Sequence, residues 1–170
     1  MDIILERRSV RNFNLDKKVD IETLKLLCKY AEAAPSARKQ ISREYIIITK
    51  REIIDKLEDI YVKSTMRPSK CNALIAVIGK DPSTLPCPDF QTIDLALATE
   101  NIMLKATELG LGTVMLGTYP AKERTTMANE LLNINDNRFV FTFVCVGYPE
   151  SKDVFYDSNK IEKTTIEVIE

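Results

Sequence analysis

Apolar positions along the chain alternate between helical and strand periods. Between Asp20 and Ala33, Leu24, Leu27, Cys28 and Ala31 recur at helical spacing behind an aspartate suited to capping. Pro35 ends that helix, because the residue before a proline avoids the helical region. Tyr45 to Thr49 is an unbroken β-branched and aromatic run, which predicts a strand covered on both faces. Thr49-Lys50-Arg51-Glu52 reads as a capping box. The helix it opens carries Ile53, Ile54, Leu57, Ile60 and Tyr61 on one side. Ala73 to Ile78 predicts a second buried strand, and three prolines between Asp81 and Pro88 predict a loop.

The longest helix is expected from about Asp89 to Leu109. Ala96, Ala98 and Ala106 thin its surface, which suits a place near the centre of the molecule. Gly110 and Gly112 terminate it. Thr113 to Leu116 is a short third strand. Lys122 to Leu132 is a helix with Met127, Ala128, Leu131 and Leu132 inward, and Phe139 to Val146 is the fourth and most apolar strand. Residues 150–160 are polar. Thr164 to Ile169 then alternate like a half-buried strand, and such a strand would need a partner edge, for which a second subunit would serve.

Composition narrows the class. With 170 residues and 45% hydrophobic content, the chain suits one domain over residues 1–170 with a substantial core. A net charge of −1 offers no field for nucleic acid or an anionic membrane. No apolar run approaches the ~20 residues of a spanning helix. The first apolar group, Ile3-Ile4-Leu5, is too short for a leader and charges follow it at once. The expectation is a soluble, cytoplasmic protein. Cys28 and Cys145 lie inside apolar patterns and read as packed thiols. Cys71 and Cys87 bracket a strand and a loop. A disulfide between them is not expected in a reducing compartment, and the spacing does not suit a metal. Histidine is absent. That removes Ser-His and Cys-His nucleophile schemes, so the hard chemistry of any enzyme here would fall to a cofactor.

Residues 7–11 read Arg7-Arg8-Ser9-Val10-Arg11. Guanidiniums fork onto phosphate oxygens, and a hydroxyl or backbone N–H satisfies a further one. Arg7 and Arg11 share a face if the helical turn of residues 2–6 continues. A solvated basic turn accounts for the same residues.

Two further segments change that balance: Ala34-Pro35-Ser36-Ala37-Arg38, and the run from Asp94 through Gly110-Leu111-Gly112 to Gly117. In order and spacing, the three segments resemble the nitroreductase family of FMN-dependent oxidoreductases, from Arg7 to about Lys160. The resemblance implies an α+β fold: a three-layer α/β/α sandwich with a mostly antiparallel central sheet flanked by helices. It also implies a homodimer whose C-terminal segment is exchanged with the partner subunit, with FMN in the interface. Arg7, Arg8, Ser9 and Arg11 would hold the phosphate. Pro35, Ser36 and Ala37 would bring backbone to the flavin, usually from the other subunit. Leu116 and Gly117 would meet it near N5. Lys160 is the remaining basic candidate for the phosphate, since Phe155 stands where relatives often carry arginine.

The chain departs from the family pattern at Lys39, Gln40, Ile41, Ser42 and Arg43, where relatives carry an asparagine and then Gln-Pro-Trp. Lys39 could stabilise the negative charge of reduced flavin, or be a surface lysine. Pro35 could be a helix stop alone, and Gly117 a strand end alone.

The activity so implied is ping-pong turnover. NADH or NADPH gives a hydride to the flavin, and a nitroaromatic, quinone-type or similar acceptor removes it, with no catalytic side chain. No Gly-x-Gly-x-x-Gly fingerprint is present, so the donor would be a transient visitor. Two other classes stay open: a flavin-binding homodimer with little or no turnover, and an α/β interaction domain without ligand.

Overall fold

The computed structural model describes residues 2–64, 66–157 and 164–169. Strands β1 (Arg43–Ile48), β2 (Ala73–Gly79), β3 (Gly112–Gly117) and β4 (Phe139–Gly147) form one sheet in the order β1-β2-β4-β3. Every neighbouring pair is antiparallel. Side chains of a strand alternate between faces, so each central strand feeds two cores. Leu74, Ala76 and Ile78 of β2 enter one core and Ala73, Ile75 and Val77 the other. The first core is closed by α3 (Arg51–Lys56), the 3-10 turns of Leu57–Tyr61 and α5 (Lys122–Leu132). The second is closed by α2 (Ile21–Ala31) and α4 (Gln91–Glu108). Helices on both faces of an antiparallel sheet make the α+β sandwich that the sequence implied.

The helices follow the predicted spacing. On α2, Asp20 Oδ1 accepts from the Thr23 N–H at 2.8 Å, and Leu24, Leu27 and Ala31 are buried. α4 buries Leu95, Ala98, Ile102 and Ala106 against the sheet, although Ala96 faces solvent. Gly110 has a φ of 73° where α4 ends, a left-handed conformation that glycine takes freely. Between β2 and β4, Val77 faces Thr142 while Ile78 faces Val140, so Phe141 of β4 is one residue extra. This bulge turns Phe139 and Phe141 toward the α2–α4 core and Val140 toward the other.

Four expectations need correction. The capping box does not form: Lys50 occupies the cap position without a side-chain bond, and Glu52 turns instead to Lys50 and Lys56. β1 is not covered on both faces, because it lies at the sheet edge and is mostly half-buried. The proline-rich loop contains two 3-10 turns, Pro82–Thr84 and Pro88–Phe90, each with proline at its start, where a missing N–H costs nothing. Residues 164–169 form no strand, and Ile166 (79% exposed) and Ile169 (93%) stand in solvent. Within the single chain, that segment joins neither edge of the sheet. All four cysteines are free. No helix among the described residues is long and apolar enough to cross a membrane.

Candidate functional site

The N-terminal arginines are placed by a short helix that stops. In α1 (Ile3–Glu6), Asp2 Oδ1 accepts from Ile4 N–H at 3.2 Å and Leu5 N–H at 3.4 Å. The helix ends at Glu6 because the chain leaves it to run beside β3. The Val10 N–H donates to Thr113 O at 2.9 Å, and Ser9 and Thr113 form a parallel bridge. Two glycines admit this strap. A Cβ at Gly112 would lie 2.8 Å from Val10, and one at Gly147 would lie 2.8 Å from the Phe13 ring. Beyond Phe13, the Asn14 N–H donates to Tyr148 O at 2.9 Å.

Because α1 ends, Arg7 and Arg11 do not share a helical face. Arg7 Nε pairs with Glu100 of α4 at 3.0 Å. Arg8, Ser9 and Arg11 line a cavity of about 500 Å³ with Val10, Asn12, Val154 and Tyr156. Arg11 Nη1 donates to Ser9 O at 3.1 Å, and the Arg8 guanidinium lies 4.7 Å from the centre of the Tyr156 ring. Arg8 Nη1 donates to Arg7 O at 2.6 Å. Its Nε and Nη2 are buried and find no hydrogen-bond partner among the described residues. Leaving buried charged donors unpaired is costly, and a phosphate supplies the acceptors they lack. The donor set therefore fits the anionic end of FMN. Lys160 lies outside the described residues.

The second segment lies after α2. Pro35 is exposed, Ser36 and Ala37 are half-buried, and Lys39 is exposed. Arg38 and Lys39 both have positive φ, 50° and 58°. Arg43 anchors the approach to this turn. Its Nη2 donates to Ala34 O at 3.1 Å, and its Nε pairs with Glu32 at 3.1 Å. The Tyr45 hydroxyl donates to the same Glu32 carboxylate at 2.7 Å. Burial first, and then the hydrogen bond to Glu32 and its charge, push the Tyr45 phenol well above its ordinary range.

The third segment is the end of β3, an edge strand. Leu116 is buried and Gly117 is exposed. Three side chains hold the carbonyls here. Thr142 Oγ1 and Thr118 Oγ1 donate to Leu116 O at 2.7 and 3.2 Å, and Arg124 Nη1 donates to Gly117 O at 2.8 Å. Tyr61 and Thr118 share a buried hydroxyl–hydroxyl bond of 2.5 Å. Burial pushes the Tyr61 phenol up to about 12, against the opposing pull of Thr118 and Arg124.

The structure thus brings Arg8, Ser9 and Arg11 together at one end of β3 and puts Leu116 and Gly117 at the other. It places Pro35 to Lys39 on a separate turn beside α4, and it commits Arg7 to Glu100. Sequence reasoning missed Tyr156 as the stacking partner of Arg8. It also missed Thr118, Tyr61 and Arg124 as the support of Gly117. Tyr61 carried no signal beyond its place on an apolar helix face. Among the described residues, no cluster of three His, Cys, Asp or Glu could hold a metal.

The sequence model of the nitroreductase family matches residues 4–78 and 71–148. An Archaeoglobus fulgidus protein named "Putative NADH dehydrogenase/NAD(P)H nitroreductase" is 35% identical over 160 residues, covering 94% of this chain and 90% of its own. A solved structure from Clostridium acetobutylicum, named "Putative NADH Oxidase", is 35% identical with a TM-score of 0.87, covering 99% of this chain and 100% of its own. The structure of an FMN-dependent nitroreductase from Clostridium difficile has a TM-score of 0.84 at 22% identity, covering 98% of each chain, and shares the fold. The arginine strap, the turn after α2 and the glycine end of β3 all fall inside the matched ranges. By sequence and by fold, the chain belongs to the nitroreductase family.

Proposed function

We propose that the chain is an FMN-dependent oxidoreductase that takes a hydride from NADH or NADPH and reduces nitroaromatic, quinone-type or similar acceptors by ping-pong turnover. One observation carries the reading. Arg8, with two buried guanidinium nitrogens that lack partners among the described residues, lines a cavity with Ser9 and Arg11 beside β3, whose far end is the exposed Gly117. FMN, when bound, supplies a hydride acceptor at N5 and an electron donor to the second substrate. The residues of the chain bind and orient. Arg8, Ser9 and Arg11 hold the phosphate, with Arg7 and Lys160 as further candidates. Leu116 and Gly117 offer backbone beside the ring, and Arg124 fixes the direction of the Gly117 carbonyl. Pro35, Ser36, Ala37 and Lys39 approach from the partner of a homodimer, in which the exposed 164–169 segment would be exchanged. No side chain need act as acid or base, in keeping with a chain that lacks histidine.

The names of the relatives at 35% identity support NAD(P)H as the donor. The test is optical. Protein loaded with FMN should show a flavin spectrum that bleaches anaerobically on adding NADH or NADPH and returns on adding a nitroaromatic or a quinone. A flavin that stays oxidised with both nicotinamides would leave a flavin-binding dimer and remove the enzyme. A protein that takes up no FMN would remove both.

A further inference from the structure

The turn from Ser36 to Gln40 is held in a conformation its own residues resist. Arg38 (φ 50°, ψ 30°) and Lys39 (φ 58°) are consecutive left-handed residues, and neither is glycine. Such backbone persists only where the surroundings over-determine it. The Lys39 N–H donates to Ser36 O at 3.1 Å and the Gln40 N–H to Ala37 O at 3.0 Å, which closes the turn but does not fix where it points.

Asp94, in the first turn of α4, does that. Asp94 is 2% exposed, and burial of a carboxylate is expensive unless its oxygens are bonded. Oδ1 accepts from the Ala37 N–H at 3.0 Å, and Oδ2 accepts from Gln40 Nε2 at 2.7 Å. The two bonds straddle the two strained residues. Gln40 is itself 5% exposed, and both ends of its amide also engage Cys87. Nε2 donates to Cys87 O at 3.0 Å, and Oε1 accepts from the Cys87 N–H at 3.0 Å. The positive end of α4 also favours the negative charge of Asp94. On the upstream side, Arg43 grips Ala34 O. The turn is therefore pinned before Pro35, at Ala37 and at Gln40, while Lys39 is left at the surface.

We infer that Asp94 and Gln40 are positioning residues: a buried carboxylate–amide latch that imposes the left-handed Arg38–Lys39 kink and so aims the Ser36–Lys39 backbone at the flavin. The inference rests on the flavin reading above and goes beyond it, because it assigns the aim of that segment to two residues remote from the phosphate grip.

Asp94→Asn tests it. Asparagine keeps the shape but offers one acceptor to two donors. Gln40 cannot turn to compensate without setting its amide wrongly against Cys87. Two measurements are made on the variant and the native chain: FMN affinity from flavin fluorescence, and the rate at which trypsin cuts FMN-free protein after Arg38 and Lys39. The latch predicts at least tenfold weaker FMN binding and at least tenfold faster cutting, with an unchanged far-ultraviolet circular dichroism spectrum. Adding Arg38→Gly should restore FMN affinity about fivefold, because glycine takes positive φ without penalty. A merely structural role for Asp94 would show no such rescue. Should Asp94→Asn fail to fold, Gln40→Met removes the latch from the other side and is read in the same way.

Native-like cutting overturns the latch. Faster cutting with native FMN affinity overturns its role toward the flavin. A native chain that binds no FMN overturns the flavin reading and the aiming role with it, while the trypsin arm still reports separately on the latch.

Discussion

At the scale of single residues, Arg8 does the most for the proposed site. Arg8→Ala should weaken FMN binding by about 1.5–3 kcal/mol, the range for bonds to charged groups, and leave the apo-protein folded. Titration by fluorescence quenching measures the first effect and circular dichroism the second. Arg7→Ala should cost FMN binding less, because its guanidinium is committed to Glu100. The arginine cluster was legible from sequence, but its division of labour was not. That division depends on where α1 stops, and α1 stops because Ser9 and Val10 bond across to Thr113. Such a long-range pairing has no local signature. Tyr61 makes a different prediction. Burial holds its phenol near 12, against about 10 unfolded. Above pH 10 the unfolded chain ionises this group first, so stability should fall as the pH rises toward 12. The loss from Tyr61 is about 1 kcal/mol at pH 11. Thermal melts at pH 9 and pH 11 should show a smaller drop for Tyr61→Phe than for the native chain.

Among the elements, the strap of residues 9–13 is closely fitted against β3 and β4. Gly112→Ala would drive a Cβ to within 2.8 Å of Val10, so the strap must shift. Overpacking of this kind costs about 1–3 kcal/mol. Urea unfolding should show that loss, together with weaker FMN binding, because Ser9 moves with Val10. Helices and strands were readable from their periods, since burial on two faces of one sheet demands them. The misreadings share a cause: each needed knowledge of neighbours. Thr49 and Glu52 have the residue types of a capping box, but Glu52 finds Lys50 and Lys56 closer to hand. Tyr45 to Ile48 has the composition of a central strand, and topology put it at an edge. The β4 bulge at Phe141 leaves no mark in the alternation of so uniformly apolar a run.

For the molecule as a whole, the exposed apolar tail argues for assembly. Ile166, Val168 and Ile169 stand in solvent in the single chain. Sedimentation should give a mass near twice the 19.3 kDa of the chain. Replacing the three with serine should shift the equilibrium toward monomer, since each large apolar side chain is worth about 1.5–3 kcal/mol when fully buried. The family was legible because three ordered segments carry it, whereas any contribution of a second subunit to the proposed site has no expression in one chain. One feature of that chain reaches further. The strap meets β3 at Thr113 and leaves its outer border bare up to Gly117, about 13 Å away along extended backbone. This interval works as a yardstick. A molecule with an anionic end and a flat end set that far apart can touch both at once. If FMN binds as proposed, a dephosphorylated or shortened analogue gives up one of them and should bind more weakly.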